Sequence, residues 1–298
     1  MTWRIVEICS CCKLELKLGY MVIRGDETKR IHLSEIAIVI LDSTAISLTA
    51  ALLCELNRRK IKIIFCDEKR CPYGELIPYF GSCDSVNKLR TQMRWNKTTI
   101  SEVWKSIIRE KILNQSMVLY KTGLNESASM LNMYVSEIED NDCTNREGHA
   151  AKVYFNSLFG KSFSRKDDNV INARLNYGYS ILMSAFSREI SICGYTSQIG
   201  IFHSNAFNPF NLASDLMEPL RPMVDKCVLD MHDECFCQEN KQLLINILND
   251  EIIIDGKRNY VTNAIRIFTE SFFDAMNNDA PERMKFYEDT IHESNGIL

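Results

Sequence analysis

Ile36-Ala37-Ile38-Val39-Ile40-Leu41 opens a stretch that continues through Leu48, Ala51, Leu52 and Leu56 to Ile61-Lys62-Ile63-Ile64-Phe65-Cys66. The first run is continuously apolar and short, as a buried strand is. The middle changes period: its apolar residues fall at helical spacing, Ser47 stands where an N-cap would, and Arg58, Arg59 and Lys60 close the helix where cations suit its dipole. The last run is again a buried strand. Strand, helix and strand in that order predict one crossover unit joining parallel strands.

Upstream, Arg4 to Cys9 carries Ile5, Val6 and Ile8 in an extended pattern, and Leu14-Glu15-Leu16-Lys17-Leu18 alternates as a half-buried strand does. Gly19 offers a turn, Tyr20 to Arg24 returns as a hairpin partner, and Gly25-Asp26-Glu27 is a second turn signal. Downstream, Cys71-Pro72-Tyr73-Gly74 and Pro78-Tyr79-Phe80-Gly81 crowd chain breakers together. Beyond Val86 the pattern is helical: Val103, Ile107, Ile108, Ile112, Met117 and Leu119 form one stripe and Met130, Leu131, Tyr134 and Ile138 another. Asn172 to Gly194 is long, apolar and poor in charge, a buried helix. Asn145 and Asn211 stand as caps of two further helices, and Asp255-Gly256 marks a small hairpin. The expectation is an α+β chain: a β-rich domain over residues 1–75, a linker over 76–86 and a larger all-α domain over 87–298.

With 298 residues, 46% apolar and 25% charged, the chain has the composition of a globular protein large enough for one or two domains. No apolar run approaches the roughly 18 residues of a membrane span. The start, Met1-Thr2-Trp3-Arg4-Ile5-Val6-Glu7, reads as a strand and lacks a signal-peptide layout, so the expected location is the cytoplasm. The twelve cysteines are scattered through apolar runs and read as reduced packing residues; Cys9, Cys11 and Cys12, and Cys235 with Cys237, lack the second Cys-x-x-Cys of a structural zinc site. The net charge of −4 hides a gradient: between Asp84 and Gly123 eight bases face three acids, a local +5. Such a face suits a phosphate backbone, and equally a solvated helix surface.

Three ligand-type residues stand in dense local motifs: Glu147 in Asn145-Arg146-Glu147-Gly148-His149, His203 in Gly200-Ile201-Phe202-His203-Ser204-Asn205, and Glu218 in Asn211 to Pro219, with Asp215 one helical turn earlier. Each also has a bland reading. Glu147 suits any helix start, a lone histidine in a polar turn commonly just hydrogen-bonds, and Asp215 and Glu218 at i, i+3 would repel unless a cation such as Arg221 or a metal lies between them. Together, two hard carboxylates and one imidazole suit a divalent ion able to activate a hydroxyl at a phosphodiester.

Lys111-Ile112-Leu113-Asn114-Gln115, Asn145-Arg146-Glu147-Gly148-His149, Tyr154-Phe155-Asn156, Asp168-Asn169-Val170-Ile171-Asn172-Ala173, Tyr177-Gly178-Tyr179 and Phe207-Asn208-Pro209-Phe210-Asn211-Leu212-Ala213-Ser214-Asp215 occur in an order that resembles the CRISPR spacer-acquisition integrases, the Cas1 family, in the form found with type II systems. The likeness covers essentially the whole chain and includes the strand beginning Thr2-Trp3-Arg4 and the strand end Ile64-Phe65-Cys66-Asp67. It implies a β-rich N-terminal dimerisation domain, a helical catalytic domain, a homodimer, and two such dimers flanking a dimer of the small Cas2 partner as a heterohexamer. An effector nuclease and an accessory ring factor are further partners of such systems.

The resemblance also implies Mg²⁺ or Mn²⁺ held by Glu147, His203 and Glu218 with Asp215 close by. The reaction it implies is transesterification, the 3′-hydroxyl of a short prespacer duplex attacking a phosphodiester at the leader-repeat of the CRISPR array. Arg90, Arg94, Lys97, Arg109, Lys111, Arg146 and Lys152 are then expected along the DNA backbone. A stand-alone metal-dependent nuclease would use the same ligands with water, and a non-catalytic DNA-binding scaffold would need none of them.

Overall fold

A computed structural model describes residues 4–68, 70–76, 84–233 and 235–288. Most of the expected linker, residues 77–83, and Glu234 of the second cysteine stretch lie outside the described residues. The chain divides into two compact units, residues 1–85 with 188–194, and residues 86–187 with 195–298.

The first unit contains β1 (Arg4–Ile8), β2 (Cys12–Lys17), β3 (Tyr20–Arg24), β4 (Thr28–His32), β5 (Ile36–Leu41), β6 (Ile46–Leu48), α1 (Ala50–Arg58), β7 (Lys62–Cys66) and β8 (Pro72–Glu75). One sheet has the order β1-β5-β7-β8 and the other β4-β3-β2-β6. β5 and β7 are parallel, with Ile38 opposite Lys62 and Leu41 opposite Phe65, and α1 makes the crossover between them. Every residue of β5 is buried, as its unbroken apolar run requires. β2 and β3 form the expected hairpin; Leu18 and Gly19 both take positive φ, the pairing that matches strand twist in a two-residue turn. The helix cap differs from the sequence reading. Thr49, not Ser47, accepts from the amide of Leu52, because Ser47 is paired in β6. Val6, Leu14, Met21, Leu33, Val39, Leu52, Leu56 and Ile63 form the core between these elements. Buried Lys62 is neutralised by Glu75 on the neighbouring strand β8.

The second unit contains α2 (Ser85–Gln92, whose first residue groups with the first unit), α3 (Lys97–Lys121), α4 (Asn125–Ser136), α5 (Arg146–Phe159), α6 (Val170–Ile192, whose last residues group with the first unit), α7 (Asn211–Leu216), α8 (Arg221–Leu229), α9 (Gln238–Asn246), β9 (Glu251–Ile254), β10 (Lys257–Tyr260), α10 (Val261–Asn277) and β11 (Tyr287–Glu288). α3 is its axis: Val103, Trp104, Ile107, Ile108, Ile112 and Leu119 are buried, each contributing about 1.5–3 kcal/mol by leaving water. α6 is buried along most of its length, and Gly178 lets α8 approach, since a Cβ there would stand 2.4 Å from Val224. The Asp255-Gly256 turn joins β9 to β10 at positive φ, and β11 adds a third strand absent from the sequence reading.

Candidate active site

Lys111 continues the buried stripe of α3, four residues after Ile107, so the helix carries its ammonium inward to 7% exposure. There it lies 2.6 Å from Glu147 Oε1, to which it donates, and 2.5 Å from Glu218 Oε2. The second contact is an ion pair only, for Oε2 is buried without a well-directed hydrogen bond. Glu218 Oε1 pairs with Arg221 at 2.9 Å. Burial alone would lower the Lys111 pKa, but Glu218 and Glu147 hold it above the usual lysine value. Burial would raise Glu218, and Arg221 and Lys111 outweigh it, so its carboxyl stays below the ordinary range. Arg221, offered by the sequence as the cation between Asp215 and Glu218, pairs with Glu218 and, among the described residues, not with Asp215; the second cation is Lys111, which stands between Glu147 and Glu218. Lys111, which the resemblance set along a DNA backbone, has its ammonium between the carboxylates of Glu147 and Glu218.

Glu147 is set at the start of α5 by a cap that the sequence reading misplaced. Asn145 has left-handed backbone (φ 54) and makes no side-chain cap; Asp142 does, accepting from the amides of Arg146 at 2.7 Å and Glu147 at 3.0 Å. Gly148 lies against the Asn145 amide, which a Cβ there would meet at 2.6 Å and push aside.

Asp215 and Glu218 do not share a helix face. α7 ends at Leu216 and Glu218 begins a 3-10 turn, Glu218–Leu220, so the two acids serve different partners. Asn211 makes no cap; Phe210 occupies that position. The turn is pinned by Asn114 and Tyr287, which donate to the Pro219 carbonyl at 3.0 and 2.6 Å. Asp215, wholly buried, gathers the loop before it: Oδ2 accepts from the amides of Ile201 (2.7 Å) and Phe202 (3.2 Å), and Oδ1 from that of His203 (3.0 Å). Oδ1 also lies 2.6 Å from His203 Nδ1. Gly200 makes this wrap possible, because a Cβ would stand 2.5 Å from both Asp215 Oδ2 and the His203 carbonyl. Trp104 stacks on Phe202 at 4.2 Å, and both rings meet His203 edge-on. The Asp215 hydrogen bond holds the His203 pKa above its ordinary value, and among the described residues Nε2 has no hydrogen-bond partner.

Beneath the site, Tyr179 donates to Asp225, and the Arg221 guanidinium lies 4.8 Å over the Tyr179 ring. Burial pushes the Asp225 carboxyl up to about 6, against Tyr179 and the neighbouring Tyr154. This layer went unread in the sequence, although Tyr177-Gly178-Tyr179 marks it.

A divalent ion fits the donor set of Glu147, His203 and Glu218: hard oxygen, imidazole, and a ring fixed by a carboxylate. The observation that supports the fit is the buried ammonium already standing where two carboxylates converge, with Glu218 Oε2 lacking a directed partner. The three donors do not lie within 4.8 Å of one another; among the described residues, the trio that does is Glu7, Cys9 and Asp42, at the ends of β1 and β5. Cys11, Cys12, Cys54, Cys143, Cys227, Cys235 and Cys237 are free thiols. Of the expected backbone contacts, Arg90, Arg94, Lys97 and Lys152 are exposed, Arg109 pairs with Glu110 at 2.8 Å, and Arg146 pairs with Glu137 at 3.2 Å. Among the described residues no helix is long and apolar enough to cross a membrane.

The family model described as CRISPR associated protein Cas1 matches residues 12–241. A relative from Neisseria meningitidis serogroup C, named CRISPR-associated endonuclease Cas1, is 33% identical over 97% of each chain. A solved casposase bound to integration product is similar in fold, with TM-score 0.73, 17% identity, and coverage of 94% of this chain and 91% of that one. A Cas6-RT-Cas1–Cas2 complex is similar at TM-score 0.73 and 18% identity over 94% of this chain, which spans 36% of that longer one. With the family model and a full-length relative in agreement, the chain belongs to the CRISPR-associated Cas1 family.

Proposed function

We propose that the protein is a DNA strand-transfer enzyme of CRISPR adaptation, joining the 3′-hydroxyl of a short duplex to a phosphodiester at the end of a CRISPR repeat. The observation that carries the reading is the convergence of Glu147 and Glu218, from separate elements, on one buried ammonium beside an imidazole anchored by Asp215. Membership of the family of a CRISPR-associated endonuclease, and the fold of a casposase bound to integration product, support it.

Glu147, His203 and Glu218 would hold Mg²⁺ or Mn²⁺, which when bound lowers the pKa of an attacking hydroxyl and neutralises charge at phosphorus. Asp215 fixes the histidine ring so that Nε2 is the nitrogen presented, and Arg221 keeps Glu218 ionised. The new bond forms between phosphorus and the incoming 3′-oxygen as the strand's own P–O3′ bond breaks. The attacking hydroxyl's proton passes to solvent and the departing oxygen leaves as a 3′-hydroxyl. Phosphodiester number is conserved, so the step needs no nucleotide hydrolysis and no protein nucleophile. One attack at each repeat end inserts the fragment.

The exposed Arg90, Arg94, Lys97, Arg109 and Lys152, with the half-buried Arg146, hold the duplex by its phosphates without reading sequence. Residues 1–75 serve dimerisation and 76–86 link them to the catalytic domain; two homodimers around a Cas2 dimer complete the working assembly.

The test uses purified protein with its Cas2 partner and Mn²⁺, a labelled duplex with free 3′-hydroxyls, and a supercoiled plasmid carrying leader and repeat. Label joined to the plasmid by wild type and not by Glu147→Ala supports the proposal. Cut but unjoined plasmid would instead establish a nuclease using water, and equal DNA binding with no covalent change in either protein would leave a scaffold.

A further inference from the structure

We propose that Gln92 is a positioning residue for His203, tying the loop that presents the imidazole to helix α2; this rests on the metal-centre reading above. Gln92 ends α2 and is 3% exposed, a polar side chain carried into the interior. Its amide nitrogen donates to the carbonyls of Thr196 at 2.9 Å and Ile199 at 2.8 Å, and its oxygen accepts from the amide of Thr196 at 3.1 Å. Both donors and the acceptor of one buried amide are spent on a single loop.

The carbonyls of Thr196 through Ile199 must all be satisfied before the chain reaches Gly200 and wraps around Asp215. α7 takes the middle two: the amide of Leu212 donates to Ser197 at 2.8 Å and the side chain of Asn211 to Gln198 at 3.0 Å. Gln92 takes the outer two. α7 also carries Asp215, which gathers the amides of Ile201, Phe202 and His203. The loop is therefore stretched between α7 and α2, and Gln92 supplies the α2 side. Around that clasp the Lys88 ammonium lies 5.6 Å over the Tyr195 ring, and Trp95 packs on the same ring at 5.8 Å. Lys88 and Gln92, at i and i+4, share one face of α2, while Arg90 lies on the opposite face and is exposed. The loop that presents the imidazole is thus built on the helix that turns a phosphate-holding arginine outward. Beyond the clasp the chain has little slack, since a Cβ at Gly200 would stand 2.5 Å from both Asp215 Oδ2 and the His203 carbonyl. A shift at Ile199 is passed on to the ring.

The experiment measures Mn²⁺ affinity without DNA, by the electron paramagnetic resonance of the free ion, and takes as the site's own the binding that His203→Ala weakens. Gln92→Met keeps the length of the side chain and deletes its hydrogen bonds. It should weaken that binding about tenfold, the lower end for a residue that orients a metal ligand from outside the coordination shell. Gln92→Glu, ionised and so without donors, should weaken it too. In a His203→Ala background Gln92→Met should change nothing further, because its effect passes through the imidazole. In wild type, reciprocity requires Mn²⁺ to slow hydrogen exchange at the Thr196 amide that Gln92 holds. Unaltered Mn²⁺ affinity in both variants at near-native circular dichroism, or an equal loss with and without His203, overturns the positioning role and leaves the metal centre standing. So does Thr196 exchange indifferent to Mn²⁺, a measurement that needs no variant to fold. Wild-type Mn²⁺ binding untouched by His203→Ala overturns both the positioning role and the metal centre.

Discussion

Replacing Lys111 by methionine keeps the length and most of the volume of the side chain and deletes its charge. Glu147 and Glu218 would then face each other without the ammonium that stands 2.6 and 2.5 Å from them. Breaking a buried ion pair by removing one partner costs about 3–5 kcal/mol. The lower end applies here, because Glu218 keeps Arg221 at 2.9 Å and the Glu147 side chain is 22% exposed. At roughly 2–4 °C per kcal/mol for a unit of this size, Tm should fall by about 6–12 °C. Thermal unfolding without divalent metal, then with Mn²⁺ in excess, separates this from ordinary packing loss. An ion shared by the two carboxylates supplies the missing charge, so Mn²⁺ should recover most of the deficit, and Lys111→Met should bind Mn²⁺ more tightly than wild type, whose ammonium competes for the same oxygens. An unchanged Tm refutes the counter-charge role. A deficit that Mn²⁺ leaves intact, while stabilising both proteins equally, refutes the shared location.

Gly200→Ala should cut strand joining by at least about tenfold with near-native circular dichroism, since its Cβ would meet Asp215 Oδ2 and the His203 carbonyl at 2.5 Å and even small misplacement of a catalytic group is expensive. Asp225→Asn should change the pH dependence of stability. The folded carboxyl sits at about 6, above its ordinary 3.8, so the wild type loses stability as pH rises from about 4 through 6, by roughly 3 kcal/mol at most; urea midpoints at pH 5 and 7.5 should show the variant losing less over that interval. Reversing no charges but neutralising Arg90 and Arg94 together should lower the salt slope of duplex binding by about 1.8, the release of two phosphate counterions' worth, as read by fluorescence anisotropy across salt.

The elements legible in the sequence were those whose pattern is local. The unbroken apolar run of β5, the alternation of β2 and the Asp255-Gly256 turn each declare themselves within a few residues. Caps were less legible, because Ser47, Asn145 and Asn211 are good capping residues whose side chains the fold does not use that way, while Asp142 caps α5 from outside its first turn. The i, i+3 spacing of Asp215 and Glu218 misled for a related reason: α7 ends at Leu216, and a spacing argument holds only while one helix continues. The burial of Lys111 is legible in its position, four residues after Ile107 and one before Ile112 on the buried stripe, but not in its charge. The wrap of the 201–203 amides around Asp215 is non-local in its hydrogen bonds and could not be read from composition, yet Gly200 is the residue that marks it.

Whether Glu147, His203 and Glu218 form one metal centre is read from crystals equilibrated with Mn²⁺, through the anomalous scattering of the ion. The expected result is a peak bounded by those three side chains, with the Lys111 ammonium moved from between the acids, and loss of the peak in Glu218→Gln. A peak at Glu7, Cys9 and Asp42 alone, or none with Lys111 still bridging Glu147 and Glu218, would contradict it.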